Sequence, residues 1–148
     1  MAVYQWNTPD ATETIMTTEL DGLADEGNAI SSAISNDAAT ELDLFADFEL
    51  YVATQAAARS AGAHVAMYIL IELDGTNYTY GDATTDPPAS AFVGSFPLDA
   101  SANPRYVHLR GVRLPPTDFK VLLINKTGQA LAASGNTLKM ARYNIQVA

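Results

Sequence analysis

The sequence predicts an all-β protein, an antiparallel β-sandwich, on three observations. Segments 42–52 and 65–73 carry apolar residues at every second position, the period of a strand. Gly, Pro, Asn and Asp punctuate the chain about every 8–12 residues, too often for long helices. A length of 148 residues, 48% of them hydrophobic, suffices for one core and leaves no room for a second sizeable one.

Residues 1–10 hold Tyr4 and Trp6, the only tryptophan, ahead of Asn7-Thr8-Pro9-Asp10. They read as an extended arm closed by a turn. Two aromatics so near a terminus imply an anchor, in this chain or in a neighbour, because a fraying end gains nothing from apolar surface. The chain thus divides into an N-terminal arm, 1–17, and a sandwich domain, 18–148. Between 12 and 35, Thr14, Met16, Thr18 and Leu20 alternate as in a strand, while Leu20, Leu23, Gly27, Ile30 and Ile34 also fit a helical stripe. Gly22, Gly27, Asn28 and three serines weaken a helix more than short strands, so strands are expected.

In 42–52, Leu44, Ala46, Phe48, Leu50 and Val52 share one face and Asp43, Asp47, Glu49 and Tyr51 the other, which makes one face core and the other wet or in an interface. Segment 65–73 is apolar on both faces and is therefore central. Asp74-Gly75 marks a tight turn with a returning strand at 76–80, and Asp86-Pro87-Pro88 a loop. Segment 92–98 is a short strand. In 106–114 the inward positions change parity from Val107 and Leu109 to Val112 and Leu114, which predicts a bulge near Arg110-Gly111. Strands at 119–124, 129–133 and 137–147 complete the chain.

Net charge is −9 and is unevenly distributed. Residues 1–58 hold 11 acids and no Lys or Arg; residues 59–148 hold all 8 basic residues against 6 acids. Such polarity suits contact between the acidic part of one copy and the basic part of another, or neutralisation within one sandwich. Arg105, Arg110 and Arg113 are the basic candidates. A net-acidic chain without a concentrated basic face excludes nucleic acid as a partner. The longest apolar run, 65–71, is far short of the roughly 20 residues of a spanning helix, and no secretory signal opens the chain, so no membrane partner is expected.

The absence of cysteine removes disulfides, thiolate catalysis and cysteine-ligated zinc. His64 and His108 have no catalytic or metal-binding neighbours in sequence, and no nucleophile elbow, phosphate loop or dinucleotide fingerprint is present. Asp43, Asp47 and Glu49 on one strand face, with about 6.7 Å between positions two apart, could suit sugar hydrolysis. Without a pocket signature they read instead as a solvated or partner-facing acidic edge. Asp74, Asn77 and Asp82 miss the spacing of a calcium loop and read as turn residues. Asn77-Tyr78-Thr79 and Asn125-Lys126-Thr127 match the glycosylation sequon by coincidence. No cofactor, metal or catalytic residue is assigned.

Several runs carry a resemblance. Asp74-Gly75-Thr76-Asn77-Tyr78, Asp86-Pro87-Pro88 and Val93-Gly94-Ser95-Phe96-Pro97 are the first, then the stretch from Leu109-Arg110-Gly111-Val112 through Pro115-Pro116-Thr117-Asp118 to Asn125, then Gly128-Gln129 and Ala132-Ala133-Ser134-Gly135-Asn136-Thr137-Leu138. Over about 18–143 the chain resembles small virion-associated proteins of tailed bacteriophages. The resemblance implies a jelly-roll-like sandwich in the virus particle, as a capsid decoration (cement) protein or a tail or fibre component. Its partners would be the major capsid protein and copies of itself, a trimer before a dimer. It would be non-enzymatic, made in the host cytoplasm and placed on the virion. The competing reading is a fibre module binding host glycan, with Tyr78, Tyr80 and Phe92 as stacking candidates. In the cement reading Tyr4 and Trp6 are buried against another copy or the shell, with Asp43, Asp47, Glu49, Arg105, Arg110 and Arg113 at the interface.

Overall fold

The computed structural model describes residues 1–37 and 42–147. Its strands are β1 (Tyr4–Trp6), β2 (Glu13–Met16), β3 (Asn28–Ile30), β4 (Phe45–Val52), β5 (His64–Ile71), β6 (Phe92–Pro97), β7 (Arg105–Arg113), β8 (Phe119–Lys126), β9 (Thr137–Tyr143) and β10 (Ile145–Val147). A 3-10 turn at Ala89–Ala91 is the only helical element among the described residues.

Two antiparallel four-stranded sheets, β2-β9-β4-β7 and β3-β8-β5-β6, pack face to face. Renumbered within the sandwich, these orders are 1-8-3-6 and 2-7-4-5, the double Greek key of a jelly roll. Strict alternation in β4 buries Ala46, Phe48, Leu50 and Val52 completely, against Val65, Met67 and Ile69 of β5 and Phe119, Val121 and Leu123 of β8. Each large side chain so buried contributes about 1.5–3 kcal/mol. Strand β5 lies between β8 and β6, as its two apolar faces require. Its outer face, with Ala66 and Leu70, forms a second small core with Leu122, Ile124 and Ala91, against which Tyr78 packs.

The loop covering that second core explains two departures from expectation. Segment 76–80 does not return as a strand; only an isolated bridge, Glu72 to Tyr78, remains. The chain turns instead across the sheet, where Gly81 at φ +144° lets Pro87 and Leu122 approach closely, and Asn28 Nδ2 donates to Asp82 O and Asp86 Oδ1. Segment 129–133 is likewise no strand, since Gln129 and Ala130 carbonyls accept from Asn125 and Gln55 side chains rather than from a ladder. Asn125 is fully buried, so its sequon presents no accessible amide in the fold. Segment 12–35 forms short strands, not a helix.

Strand β2 lies within 1–17 and pairs with β9, so the sandwich begins at Glu13 and the extended arm ends by Thr12. The arm finds its partner in the same chain: β1 pairs with β10 as a two-stranded ribbon, Tyr4 opposite Val147 and Trp6 opposite Ile145. The closing segment 137–147 is broken at Asn144, whose Oδ1 accepts from Leu44 N and whose Nδ2 donates to Leu42 O and Asp43 Oδ1. Its carbonyl accepts from Asn7 N at 2.8 Å, which fixes the root of the ribbon.

Candidate interface site

The outer face of the first sheet is a set of cross-strand rows. Register places Tyr106, Tyr51 and Thr137 in one row, His108, Glu49 and Lys139 in the next, and Arg113, Phe45 and Tyr143 in the last. Between them, Asp47 faces both Arg110 and Gly111, because the β4–β7 register shifts there. This is the bulge that the parity change predicts, and Gly111 adopts φ +66° in it. Asp47 holds the bulge: Oδ1 accepts from Gly111 N at 2.8 Å and Tyr143 Oη at 3.1 Å, and Oδ2 from Arg110 Nε at 3.2 Å. Burial, and then the Asp47 carboxylate, pushes the Tyr143 phenol above its ordinary pKa.

Trp6 closes the last row. Its ring meets Phe45 at 5.8 Å and Tyr143 at 5.5 Å between centroids, both edge-on, while Phe45 and Tyr143 stack at 5.8 Å. Trp6 is nevertheless 64% exposed and Tyr4 72%. In the ribbon, Tyr4, Trp6, Ile145 and Val147 share one face and Gln5 and Gln146 the other. All four of those apolar side chains are exposed.

Asp43 does not join Asp47 and Glu49. Strand β4 begins at Phe45, so the preceding residues escape its alternation: Asp43 is buried beside Asn144 and Arg142, and Leu44 is exposed instead of core. Glu49 Oε2 lies 3.0 Å from His108 Nε2. Arg105 pairs with Asp99 of the adjoining loop, not with the acidic first third. Asp99 also takes the buried Arg59, and these two guanidinium groups, Arg105 first, lower its pKa to about 2. Arg113 has no ion pair among the described residues and lines an apolar cleft of about 450 Å³ with Ile71, Leu73, Val93 and Leu114.

The uneven charge is met in part inside the chain. Glu13 and Asp43 meet Arg142, Glu26 meets Lys126, Asp47 meets Arg110 and Glu49 meets His108, in each case an acid of residues 1–58 with a base from the remainder. Glu41 lies outside the described residues.

Other sequence candidates have local roles. Asp74 accepts from Thr76 N, Asn77 N and Asn77 Nδ2, and Asp82 from Thr84 N and Thr85 N; these bonds close turns and lower both carboxyl pKa values. Among the described residues no group of three His, Asp or Glu could hold a metal. His64 Nδ1 lies 3.0 Å from the Gly62 carbonyl. Tyr78 lies under Lys120, with Nζ 4.4 Å from its ring centroid, and Phe92 meets Tyr68 edge-on, which leaves Tyr80 as the most exposed of the three proposed stacking residues. Among the described residues no helix is long and apolar enough to cross a membrane.

Sequence reasoning missed the gathering of Trp6, Phe45 and Tyr143. Phe45 and Tyr143 stand nearly a hundred positions apart, and the only signal available was the alternation that places each on an outward face.

No family model and no curated protein matches the chain. Among solved structures, a chain described as carbohydrate-binding module CBM36 in complex with calcium and xylotriose aligns over 100% of this chain and 99% of its own, at 13% identity and a TM-score of 0.42. Likeness at that level says nothing of ligand or partner.

Proposed function

We propose that this chain is a non-enzymatic structural protein of a bacteriophage virion, a decoration protein that binds the major capsid protein and further copies of itself on the outside of the head. The observation that carries this reading is the β1–β10 ribbon. Its apolar face, Tyr4, Trp6, Ile145 and Val147, is exposed, and its first seven residues carry no charged side chain. A two-stranded ribbon is marginal alone in water, and its unpaired edges are templates for another strand. Such an element gains most by lying against a second protein. The internal ion pairs favour apolar over charge-driven association, so Arg105 and Arg110 act within the chain. Closed rings of identical sandwiches make a trimer the leading assembly.

The test is to purify heads stripped of tails and ask whether the chain is on them. Deleting residues 1–7 should leave the far-ultraviolet spectrum unchanged and weaken head binding by a few powers of ten, since burying each aromatic contributes about 1.5–3 kcal/mol. A truncated protein that binds heads at full strength removes the clamp; a chain found only on tails moves it to the fibre.

A further inference from the structure

Between the arm and the outer sheet lies a cavity of about 500 Å³, lined by Trp6, Asn7, Pro9, Asp47, Arg110 and Tyr143 among others. We propose that in the free chain it is a binding site for a neutral sugar, a role that goes beyond the virion reading; Trp6 belongs to the ribbon's apolar face as well, so sugar and head compete for it.

A pyranose ring presents an apolar C–H face and a rim of hydroxyls that both donate and accept. Its complement is an ordered aromatic surface beside fixed planar polar groups. Trp6 supplies the first: two edge contacts to Phe45 and Tyr143 hold the indole, yet most of it stays open to solvent. Little side-chain entropy remains to be lost when a ring packs on it. Asp47 supplies the second. Gly111 N–H and Tyr143 O–H orient the carboxylate through Oδ1, while Oδ2 accepts only Arg110 Nε among the described donors, which leaves room for a sugar hydroxyl. The Arg110 side chain is 79% exposed and its Nη1 and Nη2 protons face no acceptor among the described residues, so they are available to the next hydroxyl. Asn7 adds an amide at the rim. A cavity of this size lies within the range of small-ligand sites.

Charge selects among ligands. One carboxylate paired with one guanidinium leaves the cavity near neutrality, and the chain's net charge of −9 disfavours an acidic sugar. The hydroxyl acceptor and donor stand side by side on the bulge, so vicinal hydroxyls of a neutral hexose or N-acetylhexosamine are the matching chemistry.

The full chain is applied to an array of neutral and acidic oligosaccharides, and the strongest ligand is then titrated against the fluorescence of Trp6, the only tryptophan. The expected result is binding to neutral glycans with a fluorescence change, weakened at least about tenfold in Arg110→Ala, consistent with loss of a charge-assisted hydrogen bond. Trp6→Ala, followed on the array, should also lose binding, and Tyr80→Ala should keep it. Arg110→Ala is exposed and should retain the wild-type melting curve and head binding, which separates this site from the clamp. No retained glycan, preference for acidic glycans, or binding indifferent to both Trp6→Ala and Arg110→Ala overturns the proposal.

Discussion

Asp47 accepts the Gly111 N–H at 2.8 Å where the register of β4 and β7 slips, so one carboxylate fixes both the bulge and the direction of Arg110. Gly111 stands at φ +66°, and a Cβ there would meet only Tyr143 Oη at 3.9 Å. Gly111→Ala should therefore cost backbone strain rather than a clash, about 1–2 kcal/mol. That corresponds to a fall in Tm of roughly 2–8 °C by calorimetry. An unchanged Tm would show that the bulge relaxes.

Gly62 and Gly128 share φ +77° but not their surroundings. A Cβ at Gly62 meets nothing within 4 Å, whereas at Gly128 it would lie 1.9 Å from Ser60 Oγ and 2.8 Å from Ser60 Cβ. Alanine at either position bears the same backbone strain. The excess loss in Gly128→Ala, on the order of 1–3 kcal/mol by urea denaturation, measures the packing of the 59–62 turn on the 127–129 turn. Equal losses would contradict the close approach.

Asp99 joins Arg105 and Arg59, which hold its folded pKa near 2 against an ordinary value of 3.8. Because the folded value is depressed, this carboxylate stabilises the fold above about pH 4 and the contribution fades as pH falls toward 2. Wild type should melt above Asp99→Asn at pH 6, and the gap in Tm should close between pH 4 and pH 2. A gap that persists at pH 2 would show that the charge of the carboxylate is not what separates the two proteins.

If the ribbon rather than its charges makes the contact, head binding should be nearly independent of ionic strength. Raising salt from about 0.05 to 0.5 M screens exposed charges within a few ångströms and leaves apolar burial intact. A steep loss in the same titration would return Arg105, Arg110 and Arg113 to the interface.

The strands that make the sandwich were legible because burial writes itself into period. Phe48, Leu50 and Val52 alternate, both faces of 65–71 are apolar, and the slip from Leu109 to Val112 marks the bulge in the sequence itself. Strand ends and cover were less so. Asp43 sits one residue beyond the bend that starts β4, where alternation no longer says which way a side chain points. Segment 76–80 has strand composition, but its Tyr78 is drawn onto Leu122 and Lys120 instead of a ladder. The partner of the arm was hidden for a different reason. Tyr4 and Val147 face each other in a ladder of backbone hydrogen bonds, which carry no sequence signature, across nearly the whole chain. The cavity beside Asp47 and Arg110 depends on that same pairing, so it could not be assembled from local patterns.

The ribbon also sets how the molecule yields to mechanical load. Tyr4 and Val147 stand opposite each other, so tension applied through them pulls across the ladder and opens it pair by pair, first the ribbon, then Asn7 from Asn144 and Asp10 from Arg142, then β2 from β9. Force entering through the ribbon is thus met by sequential peeling at low tension, whereas β4, β5 and β8 in the middle of the two sheets are loaded last. A protein tethered by this end can give way at its edge, extend, and re-zip without losing its centre.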